Sequence, residues 1–201
     1  MIKFFKDHFN FGLPGVSWLA FFTAFLVYPC KMFLPEHFGY ENGLLENIQM
    51  IVLFIGLYLS FFSKTDKKFF RFVGLVLLII MIREVNCGRT LFFPIPGVEN
   101  AYYRWSEIKY GYLAHPIFGA FIAFVAIYFL KNKLFINLWN FLIKTKLPIW
   151  NIMFMFIGMG LGLYAEHTMH NMVFEEITEL LFYVSLVGII YLYSRCKEYY
   201  I

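Results

Sequence analysis

The chain has 201 residues, of which 61% are hydrophobic, 22% aromatic and only 15% charged, with a formal net charge of +4; its mean hydropathy is +0.66. Soluble domains carry roughly a quarter charged residues and less than half apolar ones, so this composition excludes an ordinary soluble domain and points to a helical membrane protein. The small positive charge lacks the continuous basic face that nucleic-acid binding needs, and the three cysteines, Cys30, Cys87 and Cys196, are too few for a disulfide scaffold and are expected to pack as thiols.

Lys3 and Lys6 precede an apolar run at 16–34. The small-residue cleavage pattern of a signal sequence is missing, so this run is expected to be a retained transmembrane helix. Pro35, Gly39 and Gly43 then break the chain before a second span at 44–62. Lys64, Lys67, Lys68 and Arg71 make a short basic loop, and a third span covers 69–86. Pro94, Pro96 and Gly97 open a longer connection whose tail, around Tyr102, Tyr103, Arg104, Trp105 and Glu107, suits the membrane interface. The fourth span, 112–130, begins at His115-Pro116. Leu134, Leu138, Trp139 and Leu142 recur at helical spacing between lysines, which predicts an amphipathic surface helix over 131–146. Spans at 148–165 and 174–194 complete the series.

The expected fold is therefore all-α: one polytopic transmembrane bundle over 1–201 with about six spans, each near the ~20 residues that cross ~30 Å of hydrocarbon. Lys3, Lys6, the 64–71 loop, the 131–146 segment, Arg195 and Lys197 fall on one side of such a bundle. The 35–42 and 166–176 loops on the other side carry no Lys or Arg. The positive-inside tendency then puts both termini in the cytoplasm of a bacterial inner membrane.

That topology gathers ionisable residues in the outer half. Glu46 lies just inside the second span, Arg83 and Glu84 end the third, His115 starts the fourth, and Glu176 and Glu179 start the last. Ionisable groups at such depth are costly and are usually functional. Glu84, Glu176, Glu179 and His115 are the candidate catalytic residues, because carboxylates and imidazoles move protons. Arg83, Arg89 and Glu46 are the candidate ligand-binding residues. Glu166 and His170, four apart, share a face if their helix continues; with His167 they are a candidate site for a divalent metal such as zinc. Glu36, Glu41, Glu99, Glu107 and Glu175 read as solvated helix ends, and Arg83, Glu84 and Arg89 also suit a structural ion-pair network.

At Arg83-Glu84-Val85-Asn86-Cys87-Gly88-Arg89 the chain resembles a loose family of uncharacterised bacterial multi-span membrane proteins. These carry an acidic opening to one span, here Glu41-Asn42-Gly43 with Glu46, and a Glu before a Leu-x-His stretch, here Glu107 and Leu113-Ala114-His115. The tryptophan usual before the motif's glycine is Cys87, and its acidic pair is Arg83-Glu84. A fainter likeness is to intramembrane glutamic proteases, on Glu84 with Arg89, His115, and His167 with Asn171; the paired glutamates of that family are absent, and its Phe before the first His is Gly111 here.

Two functions remain open on the sequence. One is a hydrolase or transferase acting on a lipid or lipid-linked substrate at the outer leaflet. The other is a non-catalytic oligomer, a sensor, channel or scaffold such as a membrane component of phage defence. In the second case the charged cluster joins subunits or lines a pore; in either case the 131–146 helix is a foot on the lipid surface or a docking site for a cytoplasmic protein partner.

Overall fold

Helix breakers cut the apolar sequence into hairpins. In the computed structural model, which describes residues 8–196, α1 is Gly15–Phe33, α2 Leu44–Phe61, α3 Lys67–Glu84 and α4 the short Arg89–Phe92. They are followed by α5 at Ala114–Lys131, α6 at Leu134–Lys144, α7 at Ile149–Tyr164 and α8 at Met172–Arg195. The only strands among the described residues are a two-residue parallel pair, β1 (Phe9–Asn10) on β2 (Leu147–Pro148). Lys3, Lys6 and Lys197, part of the orientation expectation, lie outside the described residues, as do the side chains of Leu142 and Lys144.

Local chemistry sets the helix ends. Pro35 follows Leu34, the residue that caps the end of α1, and disfavours helical backbone at Leu34, which is extended. Asp66 caps α3 by accepting from the Phe69 N–H at 3.2 Å, and Asn171 caps α8 by accepting from the Phe174 N–H at 2.8 Å. Residues 62–66 join α2 and α3 into an antiparallel hairpin, in which Gly56 faces Leu77 and Gly74 faces Phe61.

The last helix is the centre of the molecule. α8 packs against α1, α2 and α7, and 67% of its apolar window is buried, against 6% for the segment Gly111–Lys131 that contains α5. α8 is enclosed over most of its length, and its Thr178 and Ser185 hydroxyls donate back to the Phe174 and Leu181 carbonyls of their own helix. α7 approaches α8 most closely at Gly158, where a Cβ would stand 2.7 Å from the Phe182 nitrogen and 2.8 Å from the Thr178 oxygen.

Five helical segments are long and apolar enough to cross a membrane: Gly15–Phe33, Glu36–Phe61, Gly111–Lys131, Ile149–Met169 and Met172–Arg195. About six were expected. α3 is missing from the set because Lys67, Lys68 and Arg71 at its start and Arg83 and Glu84 at its end put too many charges in its 18 residues, although its centre is apolar. At one end of the bundle lie the 36–43, 85–113 and 165–171 segments; at the other lie the 62–66 turn, α6 and the strand pair. At this second end α6 tucks Leu134 fully inside and sets Phe141 against Tyr193, ring centroids 4.1 Å apart, leaving Phe135, Leu138 and Trp139 exposed.

Candidate functional site

The hairpin geometry brings the end of α3 beside the start of α2, and both against the first turns of α8. Glu46, Glu84, Glu175, Glu176 and Glu179 all interact electrostatically there. Glu46 is 5% exposed and accepts a hydrogen bond from the Asn42 backbone N–H. Gln49, one turn further along α2, is fully buried; its amide donates to the Glu176 carboxylate at 2.7 Å and to the Glu176 carbonyl at 2.8 Å. This orientation leaves the Gln49 Oε1 buried with no partner among the described residues. The Glu84 side chain, 8% exposed, accepts from the Tyr183 hydroxyl at 2.7 Å and from Arg83 at 3.2 Å, and Arg83 also reaches Glu179 at 3.6 Å. One guanidinium thus serves two carboxylates while three more stand close by.

Between α3, α7 and α8 this cluster opens into a cleft of about 180 Å³. Arg83, Glu179 and Tyr183 form its polar floor, and Met159, Leu163 and Phe182 its apolar walls. Gly162 keeps the α7 wall low: a Cβ there would lie in ordinary contact, 3.5 Å from the Glu179 Cγ. Met159 and Leu163 are exposed on the outer face of the bundle, so the cleft opens sideways between apolar helices as well as toward the loops.

Other expected site residues lie elsewhere. Arg89 is turned to the connecting loop, 4.0 Å from Glu41 and 5.8 Å over the Tyr102 ring, with the Asn86 amide oxygen, once oriented toward it, accepting at 2.8 Å. It braces a latch in which Tyr102 donates to the Glu41 carbonyl at 2.9 Å and Asn42 donates to the Thr90 carbonyl. Burial pushes the Tyr102 phenol above its ordinary range, keeping it protonated as that donor. His115 is exposed and packs edge-on against Trp105, centroids 5.8 Å apart.

The expected metal set does not form. The helix does not continue through Glu166; residues Ala165–Met169 widen into a π turn, and His170, with φ 49°, reverses the chain into the Asn171 cap. Glu166, His167 and His170 are all exposed on this turn, and Glu166 also lines the cleft, where it adds a further carboxylate beside Glu179. Among the described residues no group of three or more His, Cys, Asp and Glu is placed to hold a metal ion. Cys30 and Cys87 are free thiols.

Gln49 and Tyr183 were not among the expected site residues. Both carry a weak signal in retrospect: Gln49 sits three residues after Glu46 and Tyr183 four after Glu179, each on the acidic face of its helix. The geometry defines a class, an all-helical protein with five segments long and apolar enough to cross a membrane and an acidic cleft between helices at one end. No family model, curated protein or solved structure matches the chain.

Proposed function

We propose that this protein lies in the bacterial cytoplasmic membrane, that its α3–α7–α8 cleft receives the polar end of a membrane-resident amphiphile, and that it acts on that end by hydrolysis or group transfer. The observation that carries the reading is the cleft itself, with a carboxylate floor between apolar helices and a sideways opening past Met159 and Leu163. α3 is a sixth crossing in this reading, because its antiparallel pairing with α2 obliges the chain to return across the same slab. The basic end faces the cytoplasm, with both termini there, and the cleft faces outward.

The charge balance selects the substrate head. Like charges 4 Å apart repel by about 4 kcal/mol at an effective dielectric of 20, and the one local cation is already shared by Glu84 and Glu179. An anionic phosphate head is therefore disfavoured. A hydroxyl-rich or amine-bearing head supplies donors to Glu179 and Glu166, the two carboxylates that line the cleft. Glu179 takes the proton of the attacking hydroxyl or water and gives it back to the leaving oxygen as the old bond breaks, and Arg83 is the counter-charge for the oxyanion that develops between the two steps. Glu84 and Tyr183 hold Arg83 and the α8 face in position.

The test is native mass spectrometry of protein extracted with its own membrane lipids. A co-purifying amphiphile is expected, lost in Gly162→Leu, which fills the cleft, and kept in Gly160→Leu, whose position meets nothing within 4 Å. Incubation with total lipid is expected to give a new product that Glu179→Gln abolishes. The same lipid profile in Gly162→Leu and wild type overturns the binding claim.

One observation favours the second reading, a homo-oligomeric sensor, channel or scaffold: the segment containing α5 is apolar and only 6% of it is buried. A stable oligomer by light scattering, combined with full function in Glu84→Gln and Glu179→Gln, would decide for it.

A further inference from the structure

The opposite end of the molecule carries a second pocket, built on cations. Residues Phe61, Phe62, Ser63, Lys64, Lys67 and Arg71 line a hollow of about 450 Å³ at the α2–α3 turn. Lys67 and Arg71 are four apart on one face of α3, and Lys64 reaches in from the turn. The neighbouring acid forms no ion pair with them among the described residues. Asp66 is committed on both oxygens, one to the Phe69 N–H and the other to the Asn137 amide. The ion pairs among the described residues all lie at the far end, on Arg83 and Arg89. Beside the cations, Phe61 and Phe62 turn 46% and 62% of their surface outward, where α2 ends.

Three cations that line one hollow and carry no ion pair among the described residues suit a phosphate. The exposed phenyl rings that continue it suit only a phosphate attached to hydrocarbon. We propose that the α2–α3 turn is a discrete site for an anionic phospholipid, its phosphate on Lys64, Lys67 and Arg71 and its acyl chains along Phe61 and Phe62. The site is separate from the cleft in position, charge and ligand, and it rests on the membrane reading alone. It holds the hairpin end at the depth of the headgroups, so α2 and α3 carry Glu46 and Glu84 at a fixed level within the bilayer.

The experiment uses the full chain, delipidated in neutral detergent, with phosphatidylglycerol, phosphatidylcholine of the same acyl chains, and inorganic phosphate as separate probes. Bound lipid is counted by native mass spectrometry and checked by the unfolding temperature. Phosphatidylglycerol is expected to bind at least tenfold more tightly than phosphatidylcholine. Lys64→Gln, Lys67→Gln and Arg71→Gln are each expected to weaken it about fivefold, the value of one cation near an anionic surface. Lys131→Gln with Lys133→Gln, on the same end but outside the pocket, is expected to change nothing; each variant must melt as wild type before lipid is added. Equal binding of the two lipids overturns the proposal, as does an equal loss in the Lys131 and Lys133 control, which indicates diffuse charge. Displacement of phosphatidylglycerol by inorganic phosphate at matched concentration assigns the site to a soluble anion and also overturns it.

Discussion

Gly158 and Gly160 stand two positions apart on α7 and answer to different neighbours. At Gly158 an added methyl meets the Phe182 and Thr178 backbone of α8, which cannot swing aside. Gly158→Ala is therefore expected to cost about 1–3 kcal/mol. Gly160→Ala, into open space, is expected to stay within about 0.5 kcal/mol. Unfolding titrations in one detergent compare them, and equal losses would mean that α7 does not ride so close to α8. Tyr183→Phe removes the hydroxyl that serves the Glu84 carboxylate, a bond to a charged group worth about 1.5–3 kcal/mol. The same titration should show that loss, and a change under 0.5 kcal/mol would show that Arg83 alone satisfies Glu84. Glu46, Glu84, Glu176 and Glu179 were legible in the sequence because a charge stands out in an apolar run. Tyr183 does not stand out among 14 tyrosines, and Gln49 carries no charge to betray it.

Some helix boundaries were legible for a plain reason: Pro35 and Gly43 break the chain between α1 and α2, and Pro148 stands directly before α7. The central place of α8 was not. Every long helix here is apolar, so periodicity cannot rank them, and only the packing shows which one the others surround. The 165–171 turn was misread for a related reason. Glu166 and His170 at a spacing of four predict one helical face, but the turn widens and reverses at His170, and no residue type announces a π turn. What starts α8 is the Asn171 cap, so Asn171→Ala is expected to cost about 1 kcal/mol, read as a lower unfolding temperature. α6 gives a separate element-scale test. Its Phe135, Leu138 and Trp139 face away from the bundle while Phe141 packs inward. In a variant with Trp139 as the sole tryptophan, emission should be blue-shifted in vesicles and quenched by lipids labelled near the headgroup. Water-like emission with no quenching would place α6 off the membrane.

At the scale of the whole molecule the two ends differ in charge, and the difference predicts an orientation. Lys64, Lys67, Lys68, Arg71, Lys131, Lys133 and Arg195 lie at one end, while Glu41, Glu46, Glu84, Glu99, Glu166, Glu176 and Glu179 lie at the other. Positive charge is retained on the cytoplasmic side during insertion, so the carboxylate cleft should face outward. α3 should cross despite its charges, because Lys67, Lys68 and Arg71 cluster at its first turns and Arg83 and Glu84 at its last, where each can reach an interface. Single cysteines in a background without Cys30, Cys87 and Cys196 test both statements with an impermeant maleimide on intact cells. Val98→Cys, exposed in the loop after α4, should label from outside; Lys64→Cys and Asn140→Cys should label only after lysis. Labelling of Val98→Cys and Lys64→Cys from the same side would mean that α3 does not cross, and α2 would then lose the antiparallel partner that sets Glu46 beside Glu84. A clean reversal of all three positions would keep the fold and the cleft intact but hand the acidic site to the cytoplasm, where its substrate would have to come from the inner leaflet.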